Sequence, residues 1–199
     1  MPVDAHDSGT VMPRHSLDLL SPARLVDASP ARHDELAAMA DLARQSISAI
    51  RIGNEVVERV YRHQAPSIFP FRAGGRIRGG IAFLYLNPHG LEHLLLGTFD
   101  FADPDLRLLA GPAETPAALY VWALAARGRA ATGIADVAVE MMRQPFAGAD
   151  YYAQPATDDG ARLLRQVGFT RTPSFQPDLW IYRRLVNRPG GAAAIGDRP

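Results

Sequence analysis

The segment that most restricts how this chain can fold runs from Ala117 to Phe169. It opens with an apolar stretch, Ala117 to Ala126, that has the length of a buried strand and falls well short of the ~18 apolar residues of a membrane span. Arg127-Gly128-Arg129-Ala130-Ala131-Thr132-Gly133 follows, then apolar residues at helical spacing, then a second strand from Tyr151 to Gln154. Thr157-Asp158-Asp159-Gly160 starts a further helix that closes on Gly168-Phe169. Strand, small basic turn, helix, strand, helix is an order that can hold a phosphate-bearing ligand between two strands. The N–H groups of a helix's first turn lack intrahelical partners, and the helix dipole favours an anion beside them. Gly128, Ala130, Ala131 and Gly133 are small enough for a diphosphate to approach the backbone, and Arg127 and Arg129 add positive charge. Taken alone, the same residues also read as a plain strand-to-helix turn in an alanine-rich chain.

With 199 residues and 47% hydrophobic content the chain can bury one good core, so a single domain is expected over 22–186. Residues 1–21 are polar with scattered proline and glycine and read as a flexible segment; 187–199 read as a disordered tail. Basic and acidic residues balance at 21 each, which gives no global attraction to nucleic acid or to an anionic membrane. Every basic residue is arginine, a bias that fits a GC-rich bacterial genome, and without lysine no Schiff base or lysine nucleophile is available. The absence of cysteine removes disulfides, thiolate catalysis and cysteine zinc sites together. No apolar stretch near Met1 has the form of a secretory signal, so a soluble cytoplasmic protein is expected.

Upstream, Arg24 to Ala28 suggests a short strand, and Ser29-Pro30 a helix start, with a hydroxyl cap before proline at the first helical position. Leu36, Met39, Ala40, Ala43 and Ile47 keep helical spacing, and Val56, Val57, Val60 and Tyr61 mark a second helix ending before Pro66. Ser67 to Arg72 and Arg78 to Leu86 read as strands joined by the turn Ala73-Gly74-Gly75-Arg76, with Ile81, Phe83 and Tyr85 on one side. Arg72, Arg76 and Arg78 are expected to be exposed around that turn. Asn87-Pro88 opens a short helix through Leu96, closed near Gly97, and 98–116 reads as an irregular loop over one end of the sheet, long enough to be functional. Beyond Phe169, Thr170 to Pro173 and Leu179 to Arg183 are strand pieces separated by a break at Pro173 and Pro177. The expected class is α/β, one sheet covered by helices.

Residues 117–183, read together, resemble the GNAT (Gcn5-related N-acetyltransferase) superfamily. The resemblance implies a mixed, mostly antiparallel central sheet flanked by helices, with a splay between its fourth and fifth strands where acyl-CoA binds. The family's pyrophosphate loop, Arg/Gln-x-x-Gly-x-Gly/Ala, falls on Arg127 to Thr132, with Ala130 and Thr132 where glycines are usual. Its Asn-x-x-Ala, Tyr, Gly-Phe signature falls on Thr157, Gly160, Leu164 and Gly168-Phe169; only the Gly-Phe pair matches outright, and Leu164 cannot protonate a leaving thiolate. The implied contacts are the backbone of Trp122, Ala123 and Leu124 with the pantetheine arm, and Arg127, Gly128, Arg129, Ala130, Ala131, Thr132 and Gly133 with the pyrophosphate. Thr157 adds one hydrogen-bonding group and also reads as a helix N-cap. Tyr152 and Tyr151 are the candidate catalytic acids, since they lie on the strand facing the gap, and alternation sends them to opposite faces. Tyr120 and Trp122 alternate onto one common face, where core packing rather than catalysis is expected of at least one.

The function this resemblance implies is an acyl-CoA-dependent N-acyltransferase, with acetyl-CoA or another acyl-CoA as co-substrate and no metal. An amine of a small molecule or protein attacks the thioester directly. The alternative is a catalytically inactive module of the same fold that senses CoA or another ligand, or contacts a protein; Ala130, Thr132, Thr157 and Leu164 suit it. The expected partners are the amine acceptor and, in a homodimer, a second copy, with no nucleic acid and no membrane. His89-Gly90-Leu91-Glu92-His93 has the His-x-x-Glu-His zinc-protease spacing. Pro88 and Gly90 make it a helix start, and no acidic motif downstream supplies a third ligand, so an exposed polar turn is expected. Asp100, Asp103, Asp105 and Glu114 form an acidic loop, read as solvated or as a surface for a basic substrate.

Overall fold

A computed structural model describes residues 26–47, 52–126, 128–143 and 145–184. β2 (Arg76–Leu86) is buried without a break from Gly79 to Leu86. Ile81, Phe83 and Tyr85 project to one face and pack with Phe69, Phe71 and Leu119; Leu84 and Leu86 project to the other, with Leu36, Met39, Val57 and Val60. Period-two alternation on a strand buried on both sides thus builds two cores. Each large apolar side chain fully buried there contributes about 1.5–3 kcal/mol.

The first core is covered by α1 (Leu36–Ser46) and α2 (Asn54–His63), the second by α4 (Gly133–Glu140) through Val137, with Met141 just past its end. The sheet has six strands in the order β1-β2-β3-β4-β6-β5, with β1 at Ile68–Ala73, β3 at Ala118–Ala126, β4 at Asp150–Ala153, β5 at Thr170–Arg171 and β6 at Trp180–Tyr182. Only β3 and β4 run parallel; the other four pairings are antiparallel. The mixed, mostly antiparallel α/β sheet expected from the sequence is therefore present. Gly74 and Gly75, at φ +58° and +73°, supply the two positive-φ residues of a tight β1–β2 turn. α3 (Pro88–Leu96) starts where Asn87 accepts a hydrogen bond from the Gly90 N–H at 2.9 Å and stops at left-handed Gly97. α5 (Asp158–Gln166) packs Leu164 on Ala153 and Trp180, and β5 and β6, the two strand pieces around Pro173 and Pro177, pair with each other. Among the described residues no helix is long and apolar enough to cross a membrane.

Three expectations need correction. The strand at Arg24–Ala28 reduces to one bridge, Asp27 to Arg72, with Arg24 and Leu25 outside the described residues. Ser29 does not cap a helix: its N–H and hydroxyl both go to the Asp27 carboxylate, at 2.9 and 3.1 Å, and helical structure begins only at His33. Arg72 is buried rather than exposed. It donates from Nε and Nη2 to the two oxygens of Glu35 at 2.7 and 2.5 Å, and from Nη1 to Asp27 at 3.0 Å. That fork-on-carboxylate geometry compensates the desolvation of both charges and pins the segment before α1 to the edge of β1.

Candidate functional site

The parallel pair β3–β4 matches Ala118 with Asp150, Leu119 with Tyr151, Tyr120 with Tyr152 and Val121 with Ala153, and there it ends. The reason is local: Gln154 precedes Pro155, which has no N–H to donate to a ladder, and the chain turns away to cap α5 at Thr157. β3 meanwhile continues along β2 to Ala126. From Trp122 to Ala126 the strand has β2 on one edge and no described strand on the other, so its remaining N–H and C=O groups face open space.

A β-bulge shapes the same stretch. Ala82 opposes Ala123 while Phe83 opposes Val121, which leaves Trp122 as the extra residue. Tyr120, Trp122 and Ala123 consequently all pack toward α1 and α2, whereas Val121 and Leu124 face the other core. The indole N–H of Trp122 donates to the Phe101 carbonyl at 2.9 Å, and Phe101 stacks on Tyr120 at 4.6 Å. The 98–116 segment thus forms one wall of the gap.

The gap is a cleft of about 1050 Å³, bounded by β3, the end of α1, Phe101, the turn before α4 and the start of α5. This matches the upper range of ordinary small-molecule sites, about 300–1,000 Å³. Its two ends differ chemically. At the fork, the Tyr120 hydroxyl donates to Gln154 Oε1 at 3.0 Å; Gln176 donates to the same oxygen at 3.1 Å, and Gln154 Nε2 donates to the Pro177 carbonyl at 2.6 Å. Burial pushes the Tyr120 hydroxyl far above the usual phenol range, so it keeps its proton. At the other end stand Arg78, Ala131 and Ile134. Arg78 lies just beyond the Gly79–Ala126 pair and has no ion-pair partner among the described residues.

The residues singled out from the sequence divide between ligand space and packing. Trp122, Ala123, Leu124, Ala131 and Thr157 line the cleft. Thr157 also caps α5, accepting from the Gly160 N–H at 3.1 Å. Ala130 is buried in the core beside Phe69 and Phe71. A Cβ on Gly133 would sit 2.5 Å from the Phe71 ring, so its small size serves the seating of α4 on the sheet. Gly128, at φ +55°, makes the left-handed step into the short 3₁₀ turn Gly128–Thr132; Arg129 is exposed, and the Thr132 hydroxyl donates to the Arg129 carbonyl at 2.8 Å. Arg127 lies outside the described residues.

Tyr151 and Tyr152 sit on opposite faces, and neither lines the cleft. The Tyr151 hydroxyl accepts from Arg184 at 2.6 Å and donates to the Met141 carbonyl at 3.4 Å. Burial raises it to about 12, partly opposed by the Arg184 guanidinium. Tyr152 is buried toward α1 and α2, and burial raises it as well. His89 is exposed, His93 Nδ1 meets the Thr98 hydroxyl at 2.9 Å, and among the described residues no group of three His, Cys, Asp or Glu could hold a metal. The acidic loop is largely self-engaged: Asp100 accepts from the N–H groups of Ala102 and Asp103, Asp103 pairs with Arg59, Asp105 with Arg107, and Glu114 accepts from the Gly111 N–H. Arg78, Gln154 and the Tyr120 hydroxyl are the cleft groups that sequence reasoning passed over. Only the Gln154-Pro155 pair, a strand end written in the sequence, offered a signal.

No protein-family model matches the chain, and no curated protein does. Among solved structures, the loading GNATL domain of CurA from Lyngbya majuscula is similar, with a TM-score of 0.54 and 16% identity over 79% of this chain and 97% of that one. A structure described as histone acetyltransferase HPA2 and related acetyltransferase, from Corynebacterium glutamicum, gives 0.48 and 13% over 80% of this chain and 96% of that one. The first likeness, at this identity, is one of fold. The chain has the GNAT fold, with the cleft where its parallel strands part.

Proposed function

We propose that the protein is an acyl-CoA-dependent N-acyltransferase. The observation that carries this reading is the fork: the β3–β4 ladder stops at Val121, and the edge of Trp122 to Ala126 is left to face a cleft of ligand size. An unpaired strand edge offers donors and acceptors at fixed spacing to an extended amide-bearing chain, much as an added strand would use it. Pantetheine, with its two amides, is such a chain. From Val121 to Ala126 the edge extends roughly 17 Å at the rise of a strand, toward the end where Arg78 and the Gly128–Thr132 turn would meet the diphosphate.

The reaction assigned here is amide formation at the fork. The acceptor nitrogen attacks the thioester carbonyl carbon and forms the C–N bond, collapse of the tetrahedral adduct then breaks the C–S bond, and the ammonium proton lost balances the proton gained by the CoA sulfur. Direct attack draws much of its rate from positioning. An N–H of the β3 edge near Trp122 would donate to the tetrahedral oxyanion. The Tyr120 hydroxyl, proton-bearing and at rest donating to Gln154 Oε1, is the group we assign to turn its single proton from Gln154 to the departing sulfur. Acetyl-CoA is the simplest donor.

The test combines calorimetry with CoA, acetyl-CoA and longer acyl-CoA and a thiol-release assay on a panel of amines. The chain has no cysteine, so released CoA is the only thiol to titrate. Saturable binding with amine-dependent thiol release is the expected result. Binding without release on any amine would favour a CoA-sensing module, and failure of every CoA species to bind would remove the reading altogether.

A further inference from the structure

Between β5 and β6 the chain loops through residues 172–179, closed where the Thr172 N–H donates to the Leu179 carbonyl at 3.0 Å. Apolar burial does not seat this loop, since the Phe175 ring is 80% exposed. Hydrogen bonds do. The Phe175 N–H donates to the Leu95 carbonyl of α3 at 2.8 Å, and the Ser174 hydroxyl to the Gln176 carbonyl at 2.9 Å. The Pro177 carbonyl accepts from Gln154 Nε2 at 2.6 Å. Gln176 is thereby held from both sides, and its Nε2 donates to Gln154 Oε1 at 3.1 Å.

Gln154 joins this loop to Tyr120. A carbonyl can only accept, so Pro177 takes the Nε2 end of the Gln154 amide and leaves Oε1 to Gln176 and Tyr120. An amide oxygen has two lone pairs, and both are used: one by Gln176, the other by the Tyr120 hydroxyl at 3.0 Å. Both contacts are partly buried, where an acceptor left bare carries a desolvation penalty. The Tyr120 proton can therefore leave Oε1 without stripping it, because the Gln176 donor stays. With Tyr120 as its only donor, the same oxygen would hold that proton harder. Tyr120 and Gln154 line the cleft, and Gln176 does not.

We propose that Gln176 is a positioning residue for the transfer: it keeps the Gln154 oxygen satisfied, so that Tyr120 can turn its proton to the departing CoA sulfur. This inference rests on the transferase reading. As the C–S bond breaks, the sulfur takes the Tyr120 proton, and the surplus proton of the acceptor nitrogen restores the phenol. Gln176 itself gains and loses no proton. It lowers the cost of the turn, so it acts on kcat and leaves the binding of acyl-CoA and amine alone.

Three variants of the full chain test this. Gln176→Met keeps the length of the side chain and removes the donor, Gln176→Ala removes it by truncation, and Gln176→Lys restores a donor on an unbranched stem. Circular dichroism verifies that each folds, and each is also combined with Tyr120→Phe. In the thiol-release assay with acetyl-CoA and the best amine of the panel, Gln176→Met should lower kcat about fivefold with little change in KM. The loss should recur in Gln176→Ala, recover in Gln176→Lys, and vanish in the Tyr120→Phe background, where no proton remains to turn. Equal losses in the two backgrounds mean a structural role only and overturn the inference. So does an unchanged kcat in Gln176→Met, or a loss confined to KM. A second readout is independent of turnover. In protein isotopically labelled at tyrosine Cζ, the magnetic-resonance signal of Tyr120, identified by its absence from Tyr120→Phe, should move in Gln176→Met as the hydroxyl bond to Oε1 strengthens. An unmoved signal overturns the inference whatever the rates. No thiol release from the natural chain on any amine overturns the transferase reading, and the catalytic part of Gln176 with it; a moved signal then shows that the hydrogen-bond coupling alone stands.

Discussion

β3 is one strand with two environments. Ala118 to Val121 has a partner on each edge and buries Ala118, Leu119 and Tyr120 almost completely; Trp122 to Ala126 has β2 alone and is half-exposed apart from Trp122. The composition scarcely changes between Ala-Leu-Tyr-Val and Trp-Ala-Leu-Ala-Ala. What changes is the neighbour: β4 stops before Gln154-Pro155, and the sheet opens from that point. An open edge is thus created by the chain that leaves, and the apolar strand beside it needs no special residue.

The sharpest way to break that comparison is to truncate one leucine in each half. Leu119→Ala removes a fully buried side chain from a strand paired on both edges, and a loss of about 3–4 kcal/mol is expected from transfer and cavity terms. Leu124→Ala, in the half-exposed portion, should cost about 1 kcal/mol. Urea denaturation of the two variants decides the matter: equal losses would mean that the open half is as tightly packed as the paired half. At the cleft's far end, Arg78→Ala should weaken CoA binding about tenfold, the worth of one charge-assisted contact. Its stability should be unchanged, and the deficit should shrink as salt rises. An unaltered dissociation constant would place the diphosphate elsewhere.

Near the fork, Tyr120→Phe removes the donor to Gln154 and should cost about 1 kcal/mol of stability. For turnover the expectation is about a tenfold lower kcat with little change in KM. Because the hydroxyl is raised well out of the neutral range, the rising limb of the pH–rate profile should lie at the same pH in both proteins. A limb that moves would mean that Tyr120 titrates in the mechanism.

How much of this was legible beforehand depends on whether a property belongs to one segment or to a meeting of two. Helix ends were readable because they are local: the side chains of Asn87 and Thr157 each accept from an N–H three residues on, and Gly97 and Gly168 turn their own backbone to positive φ. The fork was readable as an order of elements. The bulge at Trp122 was not, since it is a register between β2 and β3 that neither strand states alone. The same applies to Arg72, whose burial depends on Glu35 arriving opposite it, 37 positions away. Gly133 and Ala130 show the converse. Small residues in a turn look like room for a ligand until Phe71 and the core are seen to occupy that room.

The smallest expected effect tests the paired side of β4, where Tyr151 contrasts with Tyr120. Both are raised by burial, but Tyr151 is tied to Arg184 and Met141 and faces away from the cleft. Folding raises it from 10.0 to about 12, so above pH 10 the unfolded chain releases this proton first. Stability from this group is therefore fully present below pH 10 and is lost as the pH climbs toward 12. Tyr85, Tyr120 and Tyr152 are raised in the same direction and share that alkaline decline. Tyr151→Phe should consequently lessen the decline without abolishing it, lower stability at neutral pH by about 1 kcal/mol, and leave kcat/KM as it was. Denaturation at pH 8 and pH 11, with activity measured at neutral pH, separates the cases. Lost activity in a stable Tyr151→Phe protein would return this tyrosine to the chemistry and reverse the contrast with Tyr120.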